Sequence, residues 1–170
     1  AYESAVVLKT AGYIYVSREQ ISRAVDLLHY ALNLNALAQE NQQKLRYDIA
    51  QLLMGEQQYH DAIPYLINWL DKAQESDVSP ANYIRIGSAY LQIKQFSSAS
   101  IYFEKAIAQA IKQNKKPSEY PHQLLLVSYI EVDKFPEAIK VLKQLVSQGK
   151  TIQNTLVERE LTLSILLVSI

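Results

Sequence analysis

Residues 83–106 read Tyr83-Ile-Arg-Ile-Gly87-Ser-Ala-Tyr90-Leu-Gln-Ile-Lys-Gln-Phe96-Ser-Ser-Ala99-Ser-Ile-Tyr-Phe103-Glu-Lys-Ala106. Apolar or small residues at 83, 86, 90 and again at 99, 103, 106, 107 and 110 follow helical spacing. Lys94-Gln95 breaks the run, so the stretch predicts two helices joined by a short turn. Ser79-Pro80 starts the first of them, with Ser as N-cap and Pro at the first helical position. The order Gly87, Tyr90, Ala99, Phe103, Ala106 recurs along the chain. Gly12 is followed at the same offsets by Tyr15, Ala24, Leu28 and Ala31. Ala50 leads to Leu53, Ala62, Leu66 and Trp69, and Leu126 to Tyr129, Ala138, Leu142 and Leu145. The marker alanines Ala24, Ala62, Ala99 and Ala138 stand 38, 37 and 39 residues apart. A period of this length is the mark of a helical repeat array.

The small residues have a physical purpose. Two antiparallel helices approach closely only where a side chain is missing, so Gly12, Ala50 and Gly87 on the first helices face Ala24, Ala62 and Ala99 on the second. Leu126 breaks that rule and predicts a splayed or shifted fourth pair. The spacing predicts helices over 3–16, 20–34, 39–55, 59–75, 80–93, 96–113, 119–132 and 135–147, and a last one over about 152–170. The fold class expected is all-α: a right-handed superhelix, or α-solenoid, of about four helix hairpins plus a C-terminal helix. The repeats span about 5–38, 43–76, 80–113 and 119–148, within a single domain, 1–170. Pro64 falls inside a predicted helix, where proline costs about 3 kcal/mol, so that helix is expected to start late or kink.

Composition narrows the function. The 170 residues carry 17 Lys+Arg and 17 Asp+Glu, with no Cys and 49% apolar residues. Residues 1–85 hold 7 basic and 10 acidic side chains and residues 86–170 hold 10 and 7, too mild a split for a nucleic-acid binder. Without Cys there is no disulfide or thiolate chemistry. Only 4 Gly and 5 Pro argue against a sandwich or barrel. No apolar run reaches the roughly 18 residues of a membrane helix, so no integral membrane segment is expected. The N-terminus shows no basic-then-apolar signal, and a removed leader is the expectation if the protein is exported.

No nucleophile elbow, phosphate loop, zinc-protease helix or dinucleotide fingerprint is present, so neither an enzyme, a cofactor nor a metal site is expected. His29, His60 and His122 occupy three different repeat positions and are not expected to converge on one ion. Lys112-Gln-Asn-Lys115-Lys116-Pro117 reads as a solvated helix end, where cations are favoured.

The repeat resembles the tetratricopeptide family, most clearly in Tyr83, Ile86, Gly87, Tyr90, Ala99, Phe103 and Ala106, and the resemblance covers about residues 5–147. The period exceeds the family's usual 34. In that family the first helices line a concave groove, which implies a protein or peptide partner. The lining positions carry over to Val6, Lys9, Tyr13 and Val16; to Lys44, Tyr47, Gln51 and Met54; to Ala81, Ile84, Ser88 and Leu91; and to Tyr120, Gln123, Val127 and Ile130. Two of these sixteen are charged, although the chain is 20% charged, so an apolar, tyrosine-bearing surface is expected to hold a segment of another protein. Lys9 and Lys44 would steer an acidic one. The competing reading fills that surface with the chain's own segment 152–170. Five positions in a carboxylate-clamping sub-type of the family hold Lys9, Tyr13, Asp48, Ala81 and Arg85 here. Two match, and Asp48 would repel a carboxylate, which rejects the clamp.

Thr10-Ala-Gly-Tyr-Ile-Tyr15, Ala31-Leu-Asn-Leu-Asn-Ala36 and Ala50-Gln-Leu-Leu-Met54 through Trp69-Leu70 are similar to proteobacterial repeat proteins encoded with TonB–ExbB–ExbD transport systems. That resemblance implies a periplasmic or cell-envelope component. The apolar end of the sequence, with Leu163, Ser164 and Leu167 where a fifth first helix would fall, raises the alternative of a module that self-associates as a homo-oligomer through 152–170. A third alternative is a fragment of a cytosolic receptor for signalling peptides, a class that would need an effector domain such as a helix-turn-helix.

Overall fold

The computed structural model describes residues 1–147. The expected helix over 152–170, and self-association through it, lie outside the described residues. Residues 1–147 form eight α-helices and one 3₁₀ turn, in two compact units that divide after Val78.

The first unit holds α1 (Tyr2–Ser17), α2 (Ile21–Asn33), α3 (Gln39–Gly55) and α4 (Tyr59–Lys72), followed by the 3₁₀ turn Glu75–Asp77. α1 pairs with α2 and α3 with α4, and α2 packs on α3. Ala5, Leu28, Leu45, Ile49, Leu53 and Ala62 form its buried core. The second unit holds α5 (Pro80–Gln92), α6 (Phe96–Lys112), α7 (Glu119–Ile130) and α8 (Phe135–Ser147). α5 pairs with α6 and α7 with α8, while α6 packs on α7. Ala99, Phe103, Leu125, Leu126, Tyr129 and Leu145 close the second core.

The expected hairpins are present, and the missing side chains explain their closeness. A Cβ at Gly12 would lie 2.5 Å from Leu28 Cδ2, and one at Gly87 would lie 2.6 Å from Phe103 Cε1. The partner alanines Ala24, Ala62 and Ala99 are fully buried. In the fourth hairpin Leu126 is buried too, and the residue equivalent to Leu28, Leu66 and Phe103 is Leu142, which is only half-buried. A leucine in place of glycine leaves less room for the residue opposite.

The hairpin turns repeat with the helices. Glu19, Gln57, Lys94 and Asp133 all adopt left-handed backbone, with φ of 58°, 58°, 58° and 57°. Each N–H donates three residues back, and the next N–H donates five back: Gln20 to Tyr15 O, Gln58 to Leu53 O, Gln95 to Tyr90 O and Lys134 to Tyr129 O, at 2.8–3.0 Å. This is the Schellman closure, which satisfies carbonyls left open at a helix end. None of the four is Gly or Asn, so composition gave no hint of it.

The clearest departure from expectation is in α4. α4 ends at Lys72 rather than 75, because Ala73 turns extended (ψ 143°) ahead of the 3₁₀ turn. α4 does not start late: Pro64 is accommodated inside it, on an exposed face where the His60 carbonyl can meet water. At the start of α5 the Ser79 N–H and hydroxyl both donate to Asn82 Oδ1, at 2.8 and 2.7 Å.

Tyr129 is 8% exposed, and its hydroxyl donates to Glu104 of α6. Burial first, then that bond and the charges of Glu104 and Glu137, hold the phenol well above its ordinary value. The unfolded chain releases this proton near the usual tyrosine value of about 10. Stability is therefore full below about pH 10 and falls as pH rises past it. Tyr13 and Tyr65 shift in the same direction. Urea denaturation between about pH 8 and about pH 11 should show this decline, and a shallower one in Tyr129→Phe.

Candidate functional site

In the first unit the expected lining positions lie on α1 and α3, and a hydrogen bond joins the two helices. The Tyr13 hydroxyl donates to Asp48 Oδ2 at 2.5 Å. Tyr13 remains 36% exposed. Its phenol is raised far above the ordinary value by desolvation and then by the Asp48 carboxylate, so it stays a neutral donor. Val6 and Met54 pack against the buried core, while Lys9 and Val16 are half-buried, and Lys44 and Gln51 are exposed. Tyr47 is also half-buried, because its ring leans on Trp69 of α4 with centroids 4.7 Å apart. α1 and α3 thus share a partly exposed tyrosine held by a neighbouring carboxylate, and each carries one lysine among the expected lining positions.

The second unit carries a similar set on α5 and α7. Ile84, Leu91 and Ile130 pack against its core. Ser88 and Val127 are half-buried, and Ala81 is exposed. Gln123 Nε2 donates to Glu119 Oε1 at 2.9 Å. Tyr120 stands 55% exposed at the start of α7. The tyrosines three residues after the repeat's marker position divide: Tyr129 is buried, whereas Tyr15 and Tyr90 are half-buried, Tyr90 stacking on Tyr102 at 5.5 Å.

Sequence reasoning missed a cavity of about 930 Å³ between α2 and α4, to which Arg46 and Leu53 of α3 contribute. His29 and His60 both line it, despite their unrelated repeat positions. Asn33 Nδ2 donates to His29 Nε2 at 2.7 Å, which leaves the Nδ1 proton for the Tyr65 hydroxyl. Both face the space between α2 and α4, which repeat spacing alone does not reveal. Among the described residues no group of three His, Asp or Glu is placed to hold a metal ion. His122 is buried, with Nδ1 2.9 Å from Ser118 O. No described helix is long and apolar enough to cross a membrane.

Comparison with known proteins agrees with this architecture. Residues 80–110 match the model of the tetratricopeptide repeat. Among solved structures, MamA of AMB-1 is 19% identical with a TM-score of 0.66, over 88% of this chain and 76% of that one. A Podospora anserina kinesin light chain structure with nearly identical TPR-like repeats is 22% identical with a TM-score of 0.60, over 91% and 82%. RapI, in its apo form, is 17% identical with a TM-score of 0.59, over 84% of this chain and 54% of its own. No curated protein matches in sequence. At these identities the likeness establishes the fold: an all-helical, tetratricopeptide-like array of hairpins.

Proposed function

We propose that the chain is a non-enzymatic scaffold whose first helices hold a peptide or helical segment of another protein. The observation that carries this reading is Tyr13, an exposed ring immobilised by Asp48 of the neighbouring first helix. A ring already fixed loses little rotamer freedom when a partner covers it, so its contact area counts more fully toward affinity. Val6, Val16 and Met54 extend the apolar contact, and Lys9 and Lys44 favour a segment with acidic residues. The second unit has a comparable surface of its own in Ile84, Ser88, Leu91, Gln123 and Val127, with Tyr120 as its exposed aromatic. These residues position and desolvate, and no covalent step is assigned to them.

Selection of peptides from a displayed random library tests this. Peptides enriched on the full chain are expected to weaken about tenfold with Tyr13→Ala, and to favour acidic residues less strongly with Lys9→Glu. Tyr47 is a poor choice for this test because removing it also strips Trp69 of its neighbour. Enriched peptides indifferent to both changes would refute the assignment. A cell-envelope location beside a TonB-type system rests only on the resemblance of residues 10–15, 31–36 and 50–70. Fractionation of the source cells tests it, since recovery in the cytosol would remove it.

A further inference from the structure

The second helices carry a small or aliphatic residue where they close against their partners: Ala31, Ala106 and Leu145, all buried. In α4 that position is Trp69. An indole cannot occupy an alanine's place, and Trp69 is left half-buried with its ring against Tyr47. The hairpin end stays open, as a cleft of about 520 Å³ between the start of α3 and the end of α4. Gln39, Glu40, Gln43, Trp69, Lys72 and Asp77 help line it. Both carboxamide atoms of Gln43 are shut off from solvent, and neither has a hydrogen-bond partner. Leaving a donor and an acceptor unmatched is unfavourable to the free protein, and a side-chain rotation toward the cleft would present both to a ligand.

We infer that this cleft is a binding site for an amide group of a partner polypeptide, with Gln43 as the hydrogen-bonding residue and Trp69 as the apolar wall. A carboxamide offers N–H and C=O side by side, and its full complement is another amide. A carboxylate would satisfy only the donor and an ammonium only the acceptor. Glu40 and Asp77 against Lys72 also leave no positive surplus to attract an anion. Trp69 walls the cleft and its ring touches Tyr47, one of the expected lining residues of α3, so this site deepens the scaffold reading and rests on it.

Trp69 is the single tryptophan, so its indole N–H gives one assignable reporter by NMR of the full chain. Two probes are used: N-acetyl-asparagine N-methylamide, which adds a side-chain carboxamide, and N-acetyl-alanine N-methylamide, which has main-chain amides only. A saturable shift with both supports main-chain recognition. A shift with the asparagine probe alone supports a side-chain carboxamide. Gln43→Met keeps the length and removes the amide. It is expected to weaken the probe about tenfold while melting at or above the wild-type temperature. No indole shift with either probe, unchanged probe affinity in Gln43→Met, or a clearly lower melting temperature of that variant would each overturn the site. The peptide assay on Tyr13 and Lys9 reads the α1–α3 surface separately, so the two readings can fail independently.

Discussion

Phe103→Ala is expected to destabilise the second unit by about 3–5 kcal/mol, the range for deleting a buried ring. The ring is 0% exposed and packs in one cluster with Ala99, Leu125, Leu126 and Tyr129. It also fills the space that Gly87 leaves empty on α5. Truncation opens a cavity where α5, α6 and α7 meet, and the helices can collapse into it only partly. For a chain of this size the loss corresponds to a fall of roughly 6–20 °C in melting temperature. Far-UV circular dichroism during heating measures it. A fall of a degree or two would mean that Phe103 does not hold these helices together.

Gly87→Val should cost about 1–3 kcal/mol or more, by overpacking rather than by loss. The new Cβ would stand 2.6 Å from Phe103 Cε1 and 2.9 Å from Cδ1, and the buried ring has nowhere to withdraw. Gly55 is the control. It lies at the end of α3 with nothing within 4 Å of an added Cβ, so Gly55→Ala is expected to gain up to about 1 kcal/mol in helix propensity. Adding a Cβ therefore has opposite signs at the two glycines. The costs at 87 and 103 should also be less than additive, because removing the ring makes room for the valine. Strict additivity in the double variant would contradict the proposed contact.

These effects rest on residues whose roles were legible without coordinates. Gly12, Gly87, Ala24, Ala62 and Ala99 mark close helix contacts because only small side chains fit there, and a 37–39-residue spacing of such marks has few other causes. Helix starts at Tyr59, Phe96 and Phe135 were equally plain, each an aromatic just after a turn. The end of α4 was not, because Leu66, Trp69, Leu70 and Ala73 keep helical spacing past the point where the backbone turns. The left-handed turn residues escaped too. A repeated Schellman closure over Glu, Gln, Lys and Asp is imposed by the packing of the two helices, not by local preference.

The candidate site was legible in register but not in detail. Repeat position placed Tyr13 and Tyr47 on corresponding faces of α1 and α3. It could not show that Asp48 pins one and Trp69 supports the other, since both depend on a neighbouring helix. Asp48 entered the sequence reading only as a charge unfavourable to a carboxylate; in the fold it holds the tyrosine hydroxyl. The α2–α4 cavity and the unmatched Gln43 amide were invisible for a related reason. Each arises where elements fail to meet, and hydrophobic periodicity records only where they do.

The most direct test is a residue-by-residue footprint of a library-selected peptide on the full chain, read from backbone amide shifts during titration. The scaffold account predicts shifts concentrated on the first helices of the first unit, around Lys9, Tyr13, Lys44 and Gln51, with His29 and Tyr65 unmoved. Shifts centred on the α2–α4 cavity, with Tyr13 silent, would contradict it.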